Sequence, residues 1–273
     1  MKTTLYKAFF ENGKVPDCPV YDMHGHLGPF CGSHLSHNDP ASVVKAMKRA
    51  GVRLQVHCHH GSLFSPDIGN AANIRTVREA PEYLRAYCGI NPNYPDVIAE
   101  DLRTFEDYPD VYVGFKLLAD YHRIPITDSR NKPAWEYADR KGLLVLLHTW
   151  GNSAYDGPEQ IRKCAEKYPN ARILMGHSCY GEWDKGIALA KDFPNVYLEL
   201  TAILFVRGAV ELFAAGAGSE KILFGTDFPW FNYHCYIGGL LGSGISEQAC
   251  RNILYRNAEK LLGPYIKLKR LTP

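Results

Sequence analysis

A chain of 273 residues that is 46% hydrophobic and 22% charged carries enough apolar material for a large core, which excludes an intrinsically disordered chain. Its net charge of +2, with Lys and Arg scattered along the chain, leaves no basic stripe for nucleic acid. No run approaches the roughly 20 apolar residues of a membrane span, no signal-like segment opens the chain, and eight cysteines without a CxxC pair do not make a disulfide scaffold, so a cytoplasmic protein with reduced thiols is expected.

In chain order, residues 1–19 are too short for a domain and read as an N-terminal extension. A β-type run at 20–24 is followed by helical spacing at 40–50, with Asn38 or Asp39 as a cap, Pro40 at the start and Gly51 past the end. Strand patterns recur at 52–58, 83–90, 111–117, 143–148, 172–177, 196–200 and 222–227. Helical patterns lie between them at 71–80, 96–107, 132–141, 158–168, 182–192 and 207–215, and a helical tail occupies 246–273. Eight short strands alternating with helices predict parallel pairing through right-handed crossovers. At about 250 residues, the closed (β/α)8 TIM barrel is the architecture that satisfies the count in one domain spanning 1–273.

Titratable residues gather at the strand ends, where barrel enzymes place their catalytic groups. Asp22-Met23-His24-Gly25-His26 closes the first strand, and side chains two apart on an extended segment face the same way, so His24 and His26 can converge on one ion. His148 ends the fifth strand, His177 the sixth and Asp227 the eighth. Four imidazoles and a carboxylate at the tops of four strands make a ligand set suited to zinc with an open position for water.

Parity also turns Lys116 inward on the fourth strand, where a buried ammonium needs a partner. It can bind a substrate carboxylate, become a carbamate bridging two metals, or pair with Glu199, which faces inward on the seventh strand. The same alternation places Gln55, His57 and His59 inward, making His57 and His59 candidates for substrate contact. Trp150, Tyr180, Trp230 and Phe231 follow strand ends and are candidate pocket walls. His34, His37, His60, His122 and His234 fall in predicted loops and are expected to be solvated. Cys58 reads as core filler.

The DxHxH of Asp22 to His26, His148, His177, the GTDFPW from Gly225 to Trp230, and Asn91-Pro92-Asn93 after the third strand resemble the amidohydrolase superfamily. They are most similar to its amidohydrolase-related branch, which contains aminocarboxymuconate semialdehyde decarboxylase. The resemblance implies that His24, His26, His148 and Asp227 bind one Zn2+, with His177 as the catalytic acid/base, Asp227 accepting a proton as well as ligating, and a second ion only if Lys116 is carboxylated. It implies a metal-dependent hydrolase that turns a metal-activated water on a small-molecule amide, ester, lactone or C–C bond. The alternatives are a nonoxidative decarboxylase of an unsaturated or aromatic carboxylic acid and, behind it, a non-catalytic metal-binding barrel. A homodimer is what the resemblance suggests for assembly.

Overall fold

Eight strands form and each pairs with its neighbour in the chain: β1 (Val20–Leu27), β2 (Val52–His59), β3 (Leu84–Ile90), β4 (Tyr112–Leu117), β5 (Leu144–Trp150), β6 (Arg172–Tyr180), β7 (Val196–Glu199) and β8 (Ile222–Leu223). The structure is a computed structural model and describes residues 3–266. All seven ladders are parallel. The sheet closes on itself because Phe224 O accepts from Met23 N at 2.9 Å, Phe228 O from His26 N at 2.7 Å, and His24 O from Asp227 N at 2.7 Å. This closure explains why β8 ends sooner than the predicted 222–227: past Leu223 its backbone turns from β7 to β1.

The helices are α1 (Thr4–Asn12), α2 (Pro40–Ala50), α3 (His60–Phe64), α4 (Pro66–Glu79), α5 (Pro95–Thr104), α6 (Ala119–His122), α7 (Lys132–Lys141), α8 (Pro158–Lys167), α9 (Trp183–Asp192), α10 (Ala209–Ala217), α11 (Tyr233–Gly242), α12 (Glu247–Arg251) and α13 (Asn257–Leu262). Helices α2 and α7 match their predicted spans because punctuation marks both ends: the Asp39 carboxylate caps α2 by accepting from Ser42 N, and Gly51 and Gly142 take left-handed C-caps. The sequence predicts no helix at α1 or α11. Helix α11 is apolar nearly all round and holds three glycines, so it shows no 3.6-residue stripe, yet it packs against α1, whose Leu5 and Phe9 are buried. The predicted tail forms α12, a π-helical turn at Asn252–Arg256 and α13, and its last residues lie outside the described ones. No helix among the described residues is long and apolar enough to cross a membrane.

Apolar residues sort into two layers. Val52, Phe115, Val145, Ile173, Val196 and Phe224 pack outward under the helices, while Met23, Leu54, Val56, Tyr87, Leu144, Leu146, Leu174 and Leu223 fill the barrel. Ala258 and Leu262 of α13 join that inner cluster and plug the end of the barrel opposite the strand tips. Strands β4 and β5 approach so closely that a Cβ on Gly114 would lie 1.9 Å from Leu144 O. Backbone cannot yield as a flexible side chain can, so Gly114→Ala is expected to cost about 3 kcal/mol or more and to lower the melting temperature by roughly 6–12 °C. An unchanged thermal melt would mean that the two strands are not in such contact.

Candidate metal centre

Simple alternation does not explain how β1 delivers two histidines to the barrel mouth. Asp22 pairs with Gln55, but Gly25 pairs with His57, so three steps on β1 oppose two on β2. This bulge adds a residue and shifts the phase: Met23 fills the barrel, and His24 and His26 after it also face the cavity. Gly25 serves the bulge in a way the sequence does not suggest. A Cβ there would meet the Gln55 side chain at 1.7 Å, so glycine makes room for β2. Asp22 ties the bulge to β8, accepting from Thr226 Oγ1 at 2.6 Å and from the backbone N–H groups of Thr226 and His24 at 3.1 Å each.

His24, His26 and Asp227 bring their ligand atoms together. Asp227 Oδ1 lies 3.0 Å from His26 Nε2 and 3.4 Å from His24 Nε2. The far nitrogen of each ring is already engaged: His24 Nδ1 donates to Glu199 Oε2 at 3.0 Å, and His26 Nδ1 donates to Cys58 O at 2.9 Å. Those bonds place the proton on Nδ1, which leaves two Nε2 lone pairs facing one carboxylate oxygen. The His24 Nε2 lone pair also takes a hydrogen bond from Lys116 Nζ at 3.0 Å, and histidines held by a carboxylate or carbonyl on the opposite nitrogen are the usual metal ligands. Burial pushes Asp227 upward, but the surrounding His24, His26 and His177 more than reverse it, so the carboxylate is held ionised. The donor set fits a divalent ion.

His177 reaches the same cavity by an unusual backbone. It stands at φ 66°, followed by Ser178 at 49° and Cys179 at 55°, three non-glycine residues in left-handed conformation. Neighbouring strands over-determine this turn. Glu199 Oε2 accepts from His177 N, the Ser178 hydroxyl donates to Glu199 O and accepts from Glu199 N, and Thr149 Oγ1 accepts from Cys179 N. The turn points the His177 ring at His24, centroids 5.4 Å apart, and at His148, 4.7 Å apart. Burial lowers the His177 pKa well below the usual histidine value, and its Nδ1 is buried without a hydrogen-bond partner. Glu199, fully buried, is pushed up to about 7 by that burial despite four donors. The sequence offers Glu199 as a partner for Lys116; the structure gives it to His24 and His177 instead.

His148 lines the cavity beside His177, but its Nδ1 faces Asp156 Oδ2 at 3.7 Å and it groups with Asp120 and Asp156 and not with His24, His26 and Asp227. The cavity encloses about 190 Å³, more than the ~150 Å³ hole that takes up benzene. Lys116, buried at its floor, donates from Nζ to His24 Nε2 at 3.0 Å, and burial lowers its pKa. Phe30, Leu63, Leu118, Tyr121 and Trp230 form the walls. Trp150 stacks on His148 at 5.4 Å and on Tyr180 at 5.1 Å, making a half-exposed aromatic shelf next to His177. Phe231 packs against Phe205 and Tyr236 instead of the cavity.

Two expectations for β2 are corrected. His57 and His59 do not line the cavity: His57 Nε2 meets Thr76 Oγ1 on α4 at 3.0 Å, and His59 Nδ1 accepts from Gly61 N to cap α3. Alternation holds, but its phase is the reverse of the prediction, because Leu54, Val56 and Cys58 take the interior that a barrel must pack with apolar groups. His60, expected in solvent, is buried against the centre. Its ring stacks on His26 at 4.7 Å and 13°, its Nδ1 donates to Gly28 O, and its Nε2 accepts from Trp230 Nε1. His122 is also buried and donates to Leu63 O. His34, His37 and His234 are exposed as expected. Sequence reasoning missed His60 as a lining residue, together with the wall residues Phe30, Leu63, Leu118 and Tyr121; for His60 its place directly after β2 was the available signal.

A (β/α)8 barrel whose strand tips gather imidazoles and a carboxylate around one cavity defines the class of metal-dependent barrel enzymes. The chain belongs to the amidohydrolase family, whose model matches residues 21–263. No curated protein matches the sequence. Among solved structures, an uncharacterized TIM-barrel protein from Bordetella bronchiseptica is 18% identical, with 90% of this chain and 98% of that one covered at a TM-score of 0.75. A 2,6-dihydroxybenzoate decarboxylase from Rhizobium is 14% identical, with 90% and 98% covered at 0.71. A dihydroxybenzoic acid decarboxylase from Polaromonas, with bound manganese and the inhibitor 2-nitroresorcinol, is 16% identical, with 90% and 96% covered at 0.68. At these identities the likeness is one of fold.

Proposed function

We propose that the protein is a nonoxidative decarboxylase of a small aromatic or unsaturated carboxylic acid, dependent on a single divalent ion, with His24, His26, His148 and Asp227 as ligands. Sequence reasoning put hydrolysis first; decarboxylases among the structural neighbours and the chemistry of the cavity reverse that order. The observation that carries the reading is Lys116. A buried primary amine whose hydrogen-bond partner is an imidazole, in a cavity walled by aromatic rings, is complemented by a carboxylate that arrives on a planar ligand.

When bound, the divalent ion supplies a Lewis-acid centre that polarises an oxygen substituent of the ligand. Zinc suits the imidazole-rich donor set, and the manganese of the Polaromonas enzyme makes that ion the second candidate. His177 does the proton work. Neutral at rest because burial disfavours its charged form, it takes the proton of the ligand's oxygen substituent, which the ion would acidify, and as a strong acid returns that proton to the carbon that carries the carboxylate. As that C–H bond forms, the C–C bond breaks, carbon dioxide leaves, and its electron pair stays with the ring. Phe30, Tyr121 and Trp230, which line the cavity, hold the ring plane and help to exclude water, while Trp150 and Tyr180 lie outside that lining and pack against His177 and each other.

The test is product analysis across hydroxybenzoates, unsaturated acids, lactones and amides with zinc- or manganese-loaded enzyme. Carbon dioxide release from an acid is expected; hydrolysis of a lactone or amide without it would overturn the reading. Lys116→Met is expected to lower kcat/KM about 10- to 100-fold, the worth of a hydrogen bond to a charged group, with one metal per chain retained. Two metals per wild-type chain, with a mass heavier by one carbon dioxide, would instead make Lys116 a bridging carbamate.

A further inference from the structure

Asp156 lies in the loop between β5 and α8, fully buried, and neither of its carboxylate oxygens has a hydrogen-bond partner among the described residues. A carboxylate removed from water without a donor is strongly disfavoured. The loop is nonetheless built to keep it there. Ser153 Oγ accepts from the N–H groups of Tyr155 and Asp156 and donates to Asp120 Oδ1 at 2.7 Å, Ser153 O accepts from Gly157 N, and Tyr155 O accepts from Ile126 N. What Asp156 faces is His148, whose Nδ1 is itself buried, unpartnered and 3.7 Å from Asp156 Oδ2.

The other two histidines supply the pattern. His24 has Glu199 behind its Nδ1 and His26 has Cys58 O, so each ring is oriented from the rear and presents Nε2 forward. His148 is the exception unless Asp156 plays that part. We infer that Asp156 is the positioning residue of His148, accepting its Nδ1–H and so aiming Nε2 at the ion; this rests on the reading that His148 is a ligand. A shift of roughly 0.5 Å brings the pair from 3.7 Å to hydrogen-bond distance. A cation on Nε2 favours that shift, because it makes Nδ1–H a stronger donor. Asp120, whose Oδ1 is taken by Ser153, stands beside the pair and holds the loop that carries Asp156.

The experiment is the dissociation constant of Zn2+ and of Mn2+, read by competition with a chromophoric chelator up to millimolar metal, for wild type, Asp156→Ala, Asp156→Asn, His148→Ala and the His148→Ala/Asp156→Ala double variant. Asp156→Ala is expected to weaken binding about 10- to 100-fold, the usual effect of removing such an outer partner. Asp156→Asn, whose amide oxygen still accepts from Nδ1–H, falls between it and wild type. In the His148→Ala background, removing Asp156 adds nothing beyond about twofold, since its effect passes through that ring. Wild-type affinity in both Asp156 variants, or an undiminished loss in the His148→Ala background, would overturn the inference, as would a second ion per chain that disappears with Asp156. If His148→Ala itself binds metal like wild type, the ligand reading beneath it fails instead.

Discussion

Replacing His177 by Asn is expected to leave metal affinity within about threefold while lowering turnover by roughly 10²- to 10⁴-fold, the range that a positioned acid/base contributes. The substitution suits the site because Asn tolerates the left-handed backbone at φ 66° better than most residues. The bond that His177 makes to Glu199 comes from its backbone N–H, which Asn keeps. What Asn lacks is a site that can take and return a proton. Burial holds the imidazole well below pH 6.5, so its basic form persists into mildly acidic solution. His177 therefore imposes no fall in rate as pH drops through 6.5; a fall in that region would come from Glu199, which burial pushes up to about 7 and which holds His24 and His177. A variant that loses metal along with activity would make His177 a ligand.

Asp227→Ala is expected to weaken metal binding by more than about 100-fold, beyond the usual loss from an outer-shell change. Asp227 supplies the anionic ligand of the set, its Oδ1 touching both His24 and His26. Without it two neutral rings face each other with nothing to offset the cation. The barrel itself should survive, since the closing bond from Asp227 to His24 O is made by the backbone. Asp227→Asn, which keeps an oxygen but loses the charge, should fall between. Metal content after dialysis reads this out, and a fully loaded Asp227→Ala protein would remove the residue from the ligand set.

The barrel was legible because eight apolar runs, each of strand length, alternate with helices whose caps are explicit, as at Asp39 and Gly142. Strand ends were legible for the same reason: His148, His177 and Asp227 each close an apolar run. Local alternation could not show where the period slips. The bulge after Asp22 puts Met23 and His24 on one face, and β2 runs in the opposite phase to the one its polar residues suggest, so His57 and His59 leave the site while His60 enters it. Contacts between distant strands were equally out of reach. Glu199 behind His24, and Asp156 behind His148, depend on how β7 and the loop after β5 meet the strands beside them.

Imidazoles and a carboxylate from β1, β5 and the end of β8 are expected to share one ion. Anomalous diffraction from a crystal soaked in Mn2+ tests this directly. One peak per chain is expected, within about 2.3 Å of His24 Nε2, His26 Nε2 and Asp227, with His148 completing the set. A peak held by Asp120 and Asp156 with none between His24 and His26, or no peak at all, would contradict it.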